Sequence, residues 1–105
     1  MTSSVIKKKS IWERVTIGTN TYGVCIGYKN TNLQMACVRW FGNSNIPPSE
    51  GYNISFNLPS GFLPIDNNVV PVRHGDNMEV RIDGEVHISI TSYWSGATMM
   101  YPTQS

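Results

Sequence analysis

The residues best equipped for chemistry gather in "MEVRIDGEVHISI", Met78 to Ile90. Glu79, Arg81, His87 and Ser89 occupy alternate positions there, and alternation places side chains on one face of a strand pair. Arg offers a fixed fork of donors, and neutral His offers one donor and one acceptor, a combination suited to sugar hydroxyls or to a phosphate on a glycan. Nothing beside them makes a catalyst. The chain has no G-x-S-x-G, no Walker loop and no H-E-x-x-H, and its seven carboxylates are scattered. Asp83 with Glu85 reads as a solvated hairpin tip rather than an acid/base pair. His74 and Asp76 in "RHGDN" supply half of a metal site, with no third ligand in reach on the sequence. We therefore expect no enzyme, no metal and no cofactor. "NIS" at Asn53 matches a glycosylation acceptor, a three-residue pattern common by chance.

The aromatic residues carry more information. "TSYWSGATMMYP" sets Tyr93 and Trp94 beside Ser and Gly in a turn, where a large ring is hard to bury. An exposed ring next to hydrogen-bonding groups is what a saccharide needs, since the C–H face of the sugar packs on the aromatic plane. Trp40 and Phe41 end the apolar run "ACVRWFG" and are expected to pack in the core at the end of a sheet. Trp12 is expected to cover a sandwich edge or meet a neighbouring subunit.

These residues need strands to position them. The chain has two alanines and three leucines against nine glycines and six prolines, a composition that disfavours helices. The apolar runs predict about eight short strands, at Ile11–Ile17, Tyr22–Tyr28, Leu33–Phe41, Tyr52–Leu58, Val69–His74, Met78–Asp83, Val86–Thr91 and Thr98–Tyr101. The expected fold is all-β, an antiparallel β-sandwich or jelly-roll-like domain over residues 11–105, preceded by a flexible leader at residues 1–10. The Pro-rich stretch Asn43–Gly51 is expected to cross between sheets or to bear on a neighbour. In the late hairpin, Val80, Ile82, Val86, Ile88 and Ile90 share one parity, so the loop must hold an odd number of residues or a bulge. The predicted register pairs Ile82 with Val86 and Val80 with Ile88, and sets Arg81 opposite His87.

Charged residues make up 14% of the chain, below the roughly 25% usual in soluble domains. Asn, Ser, Thr and Gln take their place. Such a surface suits polyols, and the net charge of +1 leaves no footprint for nucleic acid. No secretory or membrane-spanning pattern is visible. Cys25 and Cys37 lack C-x-x-C spacing and are expected to be free core thiols of a chain made in a reducing cytoplasm.

Three stretches together, "ACVRWFGNSNIPPSEGYNIS", "LPSGFLPIDNNVVPVRHGDNMEVRIDGEVHISI" and "YWSGATMMYPTQ", resemble the C-terminal head domain of receptor-binding proteins from siphophages of lactic-acid bacteria. The resemblance covers most of residues 11–104 and rests on the order and spacing of loose motifs. It implies an all-β head, homotrimeric about a three-fold axis, carried with other baseplate or tail proteins on the virion and adhering to host cell-wall saccharides without contacting nucleic acid or membrane. The family's receptor cleft uses a His-x-Asp pair before the late hairpin, a Trp after it and an Arg in the last segment. Carried over, the pair falls on Arg81 and Asp83, or on Glu79 and Arg81 where the apolar pattern sets the register, and the Trp falls on Trp94. No arginine follows Arg81, so the last member is missing. The expected saccharide-binding set is thus Glu79, Arg81, Asp83, His87 and Trp94. Two other readings are a structural trimerisation domain that binds no sugar and a carbohydrate-binding module of a bacterial hydrolase.

Overall fold

The structure, a computed structural model, describes residues 11–104. The expected leader at residues 1–10 lies outside the described residues. Eight strands follow one another with no helix among the described residues: β1 (Trp12–Asn20), β2 (Gly23–Asn30), β3 (Met35–Gly42), β4 (Tyr52–Asn57), β5 (Asn68–Pro71), β6 (Gly75–Val80), β7 (Glu85–Ile90) and β8 (Gly96–Pro102). They form two four-stranded antiparallel sheets, ordered β1-β2-β3-β8 and β4-β7-β6-β5. The chain is a β-sandwich, as composition and turn spacing required. The Asn43–Gly51 connection leads from β3 in one sheet to β4 in the other, as expected.

Alternation decides what lies between the sheets. Ala36, Val38 and Trp40 of β3 and Met99 and Tyr101 of β8 face Ile54, Met78, Val80, Val86, Ile88 and Ile90 of the second sheet in one buried cluster. Each large apolar side chain removed from water there contributes about 1.5–3 kcal/mol. Trp40 and Phe56 bring their ring centroids to 6.2 Å across the gap. The buried Tyr101 hydroxyl donates to the Phe62 carbonyl at 2.6 Å, so its burial leaves no orphaned polar group. Met99, 4% exposed, belongs to this core.

The opposite parity of the first sheet is also apolar. Ile26 and Cys37 are buried yet stand on the outer face, where Tyr28, Trp12 and Met100 surround them. Phe41 shares that face and is 39% exposed, which corrects the expectation that it packs in the core; only Trp40 does. The two cysteines are free. Cys25 pairs with Trp40, three register positions from Cys37, and the two side chains point to opposite faces. That offset is roughly 10 Å along the strands, beyond the ~7 Å that a disulfide spans.

Candidate functional site

The late hairpin keeps its parity and changes its register. Val80 pairs with Val86, Met78 with Ile88 and Glu79 with His87. The predicted pairs of Ile82 with Val86 and Val80 with Ile88 are therefore shifted, and Arg81 faces Glu85, not His87. The Arg81 amide donates to the Glu85 carbonyl at 2.9 Å, and the Gly84 amide donates to the Arg81 carbonyl at 2.9 Å. Ile82, Asp83 and Gly84 thus make a three-residue loop, closed by Gly84 at φ +94°, a left-handed conformation that glycine adopts without Cβ cost. The loop is odd in length, as parity demanded, but it takes Ile82 out of the strand and leaves it 48% exposed.

The polar strip exists and is occupied by its own members. Arg81 Nε donates to Glu79 Oε1 at 3.0 Å, and Arg81 Nη1 lies 3.5 Å from Glu85 Oε1. His87 Nε2 donates to the same Glu85 oxygen at 2.9 Å, since a carboxylate only accepts. Asp83 turns inward on the loop and accepts the Glu85 amide at 3.0 Å. Ser89 Oγ donates to Asp76 Oδ2 at 3.2 Å. Glu79, His87 and Ser89 line a shallow hollow of about 140 Å3 with Asn53 and Asn77.

Trp94 stands elsewhere, in the wall of a cleft of about 650 Å3 that none of these residues lines. Its lining includes Arg39 and Phe41 of β3, Gly96 and Thr98 of β8, and Arg73 from the loop before β6. Backbone pairing builds the floor. Gly96 opposes Phe41, Thr98 opposes Arg39, and Arg73 bridges to Gly96 on its other side with Arg73 N donating to Gly96 O at 2.8 Å.

The loop that carries Trp94 is tied down on both flanks. Trp94 N donates to Asn43 O and Gly42 N to Ser95 O, each at 2.8 Å. The buried Trp40 Nε1 donates to Ser95 Oγ at 2.8 Å, linking the loop to the core. Gly42 permits this approach, because a Cβ there would stand 2.3 Å from Ser95 Oγ and 2.7 Å from Ser95 N. His74 accepts the Thr91 and Ser92 amides on its carbonyl, and its Nδ1 lies 3.1 Å from Tyr93 O. The half metal site suggested by "RHGDN" is thus a loop clamp on His74 and a partner for Ser89 on Asp76.

Held this way, Trp94 has φ +55° and is 54% exposed. A left-handed conformation costs an L residue with a Cβ about 1–2 kcal/mol, and a bulky aromatic ring there is uncommon. The strain holds a ring in solvent, the reverse of what core packing would select.

The cleft's charges are unpaired. Neither Arg39 nor Arg73 makes an ion pair or side-chain hydrogen bond among the described residues, and no carboxylate lines the cleft. Arg39 rests its guanidinium 4.6 Å from the Phe41 ring centroid, a cation–π contact. Its Nε is buried with no hydrogen-bond partner. Next to it on the outer face, burial pushes the Cys37 thiol above its ordinary range while the Arg39 charge pulls it down.

The sequence drew attention to Trp94 and missed Arg39 and Arg73. The available signal was the position of Arg39 in "ACVRWFG", where it shares the outward parity with Cys37 and Phe41. No family model, no curated protein and no solved structure matches the chain.

Proposed function

We propose that the chain is a non-enzymatic adhesion module that binds a cell-wall saccharide in the Trp94 cleft, as the homotrimeric head of a phage baseplate or tail tip. The observation that carries this reading is the exposed, strained Trp94 ring in an open cleft edged by hydrogen-bonding groups. Such a ring offers a flat apolar platform to a sugar's C–H face, and the flanking donors take its hydroxyls. Affinity per site is expected to be weak and to be multiplied by three linked copies. The virion location and the companion baseplate proteins follow from the family resemblance alone.

Self-association draws support from the outer face of the first sheet, where Trp12, Tyr28 and Met100 form an apolar surface over Ile26 and Cys37. The same face favours the second reading, a trimerisation domain that binds no sugar. Light scattering should report about three chains, and Trp12→Ser with Met100→Lys should reduce that to one. Persistent monomer in the wild type would count against the trimer.

Trp94→Ala separates the two readings. It should melt close to wild type and lose about 1–2 kcal/mol of binding per site, roughly 5- to 30-fold. Undiminished adhesion by the folded variant would place binding outside the Trp94 cleft, whereas absence of adhesion by the wild type as well would leave the structural reading standing. A large fall in melting temperature would mean that Trp94 serves the fold.

A further inference from the structure

We infer that the Trp94 cleft is an anion site, in which Arg39 and Arg73 together grip an oxyanion substituent, phosphate or carboxylate, of the saccharide that stacks on Trp94. The inference rests on the adhesion reading and narrows its ligand from saccharides in general to acidic ones.

Two arginines in one cleft without a carboxylate are unusual in a chain with so little charge. Of its 105 residues, 8 are Lys or Arg and 7 are Asp or Glu. Arg81, on the other sheet, has Glu79 and Glu85 beside it. Arg39 receives no such partner, and its buried Nε is one of two buried side-chain nitrogens or oxygens left unsatisfied among the described residues. A buried donor without a partner costs about 1–3 kcal/mol, more when charged, and with Nε buried it is the terminal nitrogens of the Arg39 fork that are left to meet an oxyanion in the cleft. The Phe41 ring beneath Arg39 restricts the guanidinium plane, so less freedom is lost when the fork closes on a ligand.

The strands place the second arginine within reach. From Arg39 to Arg73 the path crosses β8, two interstrand spacings of about 4.8 Å, with an offset of two residues along the strand, about 7 Å. Long side chains can converge over that distance. Between them lies Gly96, whose missing side chain leaves the floor open: a Cβ built there meets nothing nearer than Trp40 O at 3.7 Å. Thr98 on the same face adds a hydroxyl beside Arg39.

The test uses inorganic phosphate first, titrated at constant ionic strength and followed by the NMR signals of Arg39 Nε–H and the Trp94 indole. Saturable shifts of both are expected. Arg73→Met, at an exposed side chain without partners, should weaken the response about tenfold, as loss of one charge-assisted contact does. Arg39→Lys keeps the charge and loses the fork, and should weaken it also. No saturable shift, or an unchanged one in Arg73→Met, overturns the inference.

Cell-wall polysaccharide then distinguishes the anion's source. Cold hydrofluoric acid removes phosphodiesters, and carbodiimide amidation removes carboxylates; one treatment should abolish binding that the other leaves intact. If neither lowers binding while Trp94→Ala does, the adhesion reading stands and the anion site falls. If phosphate binds but no polysaccharide does, the anion site stands and the adhesion reading falls.

Discussion

The outer strip of the late hairpin and the Trp94 cleft both display arginine, yet they spend it differently. Arg81 lies between Glu79 and Glu85, and His87 shares Glu85, so the strip's charges satisfy one another. Arg39 and Arg73 have no acidic partner among the described residues. A ligand entering the strip would have to displace contacts already made in partly exposed surroundings, where an ion pair is worth about 0–1 kcal/mol. A ligand entering the cleft would displace only water and would supply a missing acceptor. Polar residues on a shared face are therefore weak grounds for a site until their own pairings are counted. An unpaired arginine beside a strained, exposed aromatic ring is stronger.

Four perturbations bear on this contrast. Gly42→Ala should have the largest effect, because its Cβ would collide with Ser95 and push the Trp94 loop off the sheet. Overpacking of this kind costs about 1–3 kcal/mol. Thermal melting should show the loss, and adhesion should fall even at temperatures where the variant is folded.

The core between the sheets should respond to alkali. Burial raises the Cys25 thiol from 9.0 to about 12, so the unfolded chain ionises first. The stabilisation is complete below pH 9 and is lost toward pH 12, at about 1.4 kcal/mol per pH unit for one proton. Buried Tyr101 is raised in the same direction by burial and adds to the fall at higher pH. Denaturant titrations from pH 8 to 11 should show the slope, and Cys25→Ala should reduce it. An unchanged slope in Cys25→Ala would place the titration elsewhere.

Trp94→Gly should relieve the left-handed backbone, gaining up to about 1 kcal/mol of stability, while adhesion drops as in Trp94→Ala. A loss of stability instead would mean that the ring is held by packing. Smallest is the double change Arg81→Ser with His87→Ser. Removing exposed ion pairs should move stability by less than about 1 kcal/mol and leave adhesion at the wild-type level. A loss of adhesion there would restore the strip, and the hollow beside Asn53, as the binding site.

The fold was legible because strand alternation and turn residues speak locally. All eight predicted strands exist, and boundaries moved most, by three residues, at the end of β1 (Asn20), at the end of β5 (Pro71) and at both ends of β6 (Gly75 and Val80). The hairpin register differs at Ile82: the apolar pattern assigns it to the core, whereas a turn position leaves its side chain in solvent. Phe41 was misplaced for a related reason: it follows Trp40, and adjacent strand residues face opposite ways. The exposed turn position of Trp94 could be read from its Ser and Gly neighbours. The arginines could not be joined to it, because only the β3–β8 register and the Arg73–Gly96 bridge bring such distant segments together.

The most direct test of the central claim is a crystal structure of the chain with a cell-wall oligosaccharide. A sugar ring stacked on Trp94, with an acidic substituent between Arg39 and Arg73, is the expected result. A sugar seated on His87 and Glu79 with the Trp94 cleft empty would contradict the account.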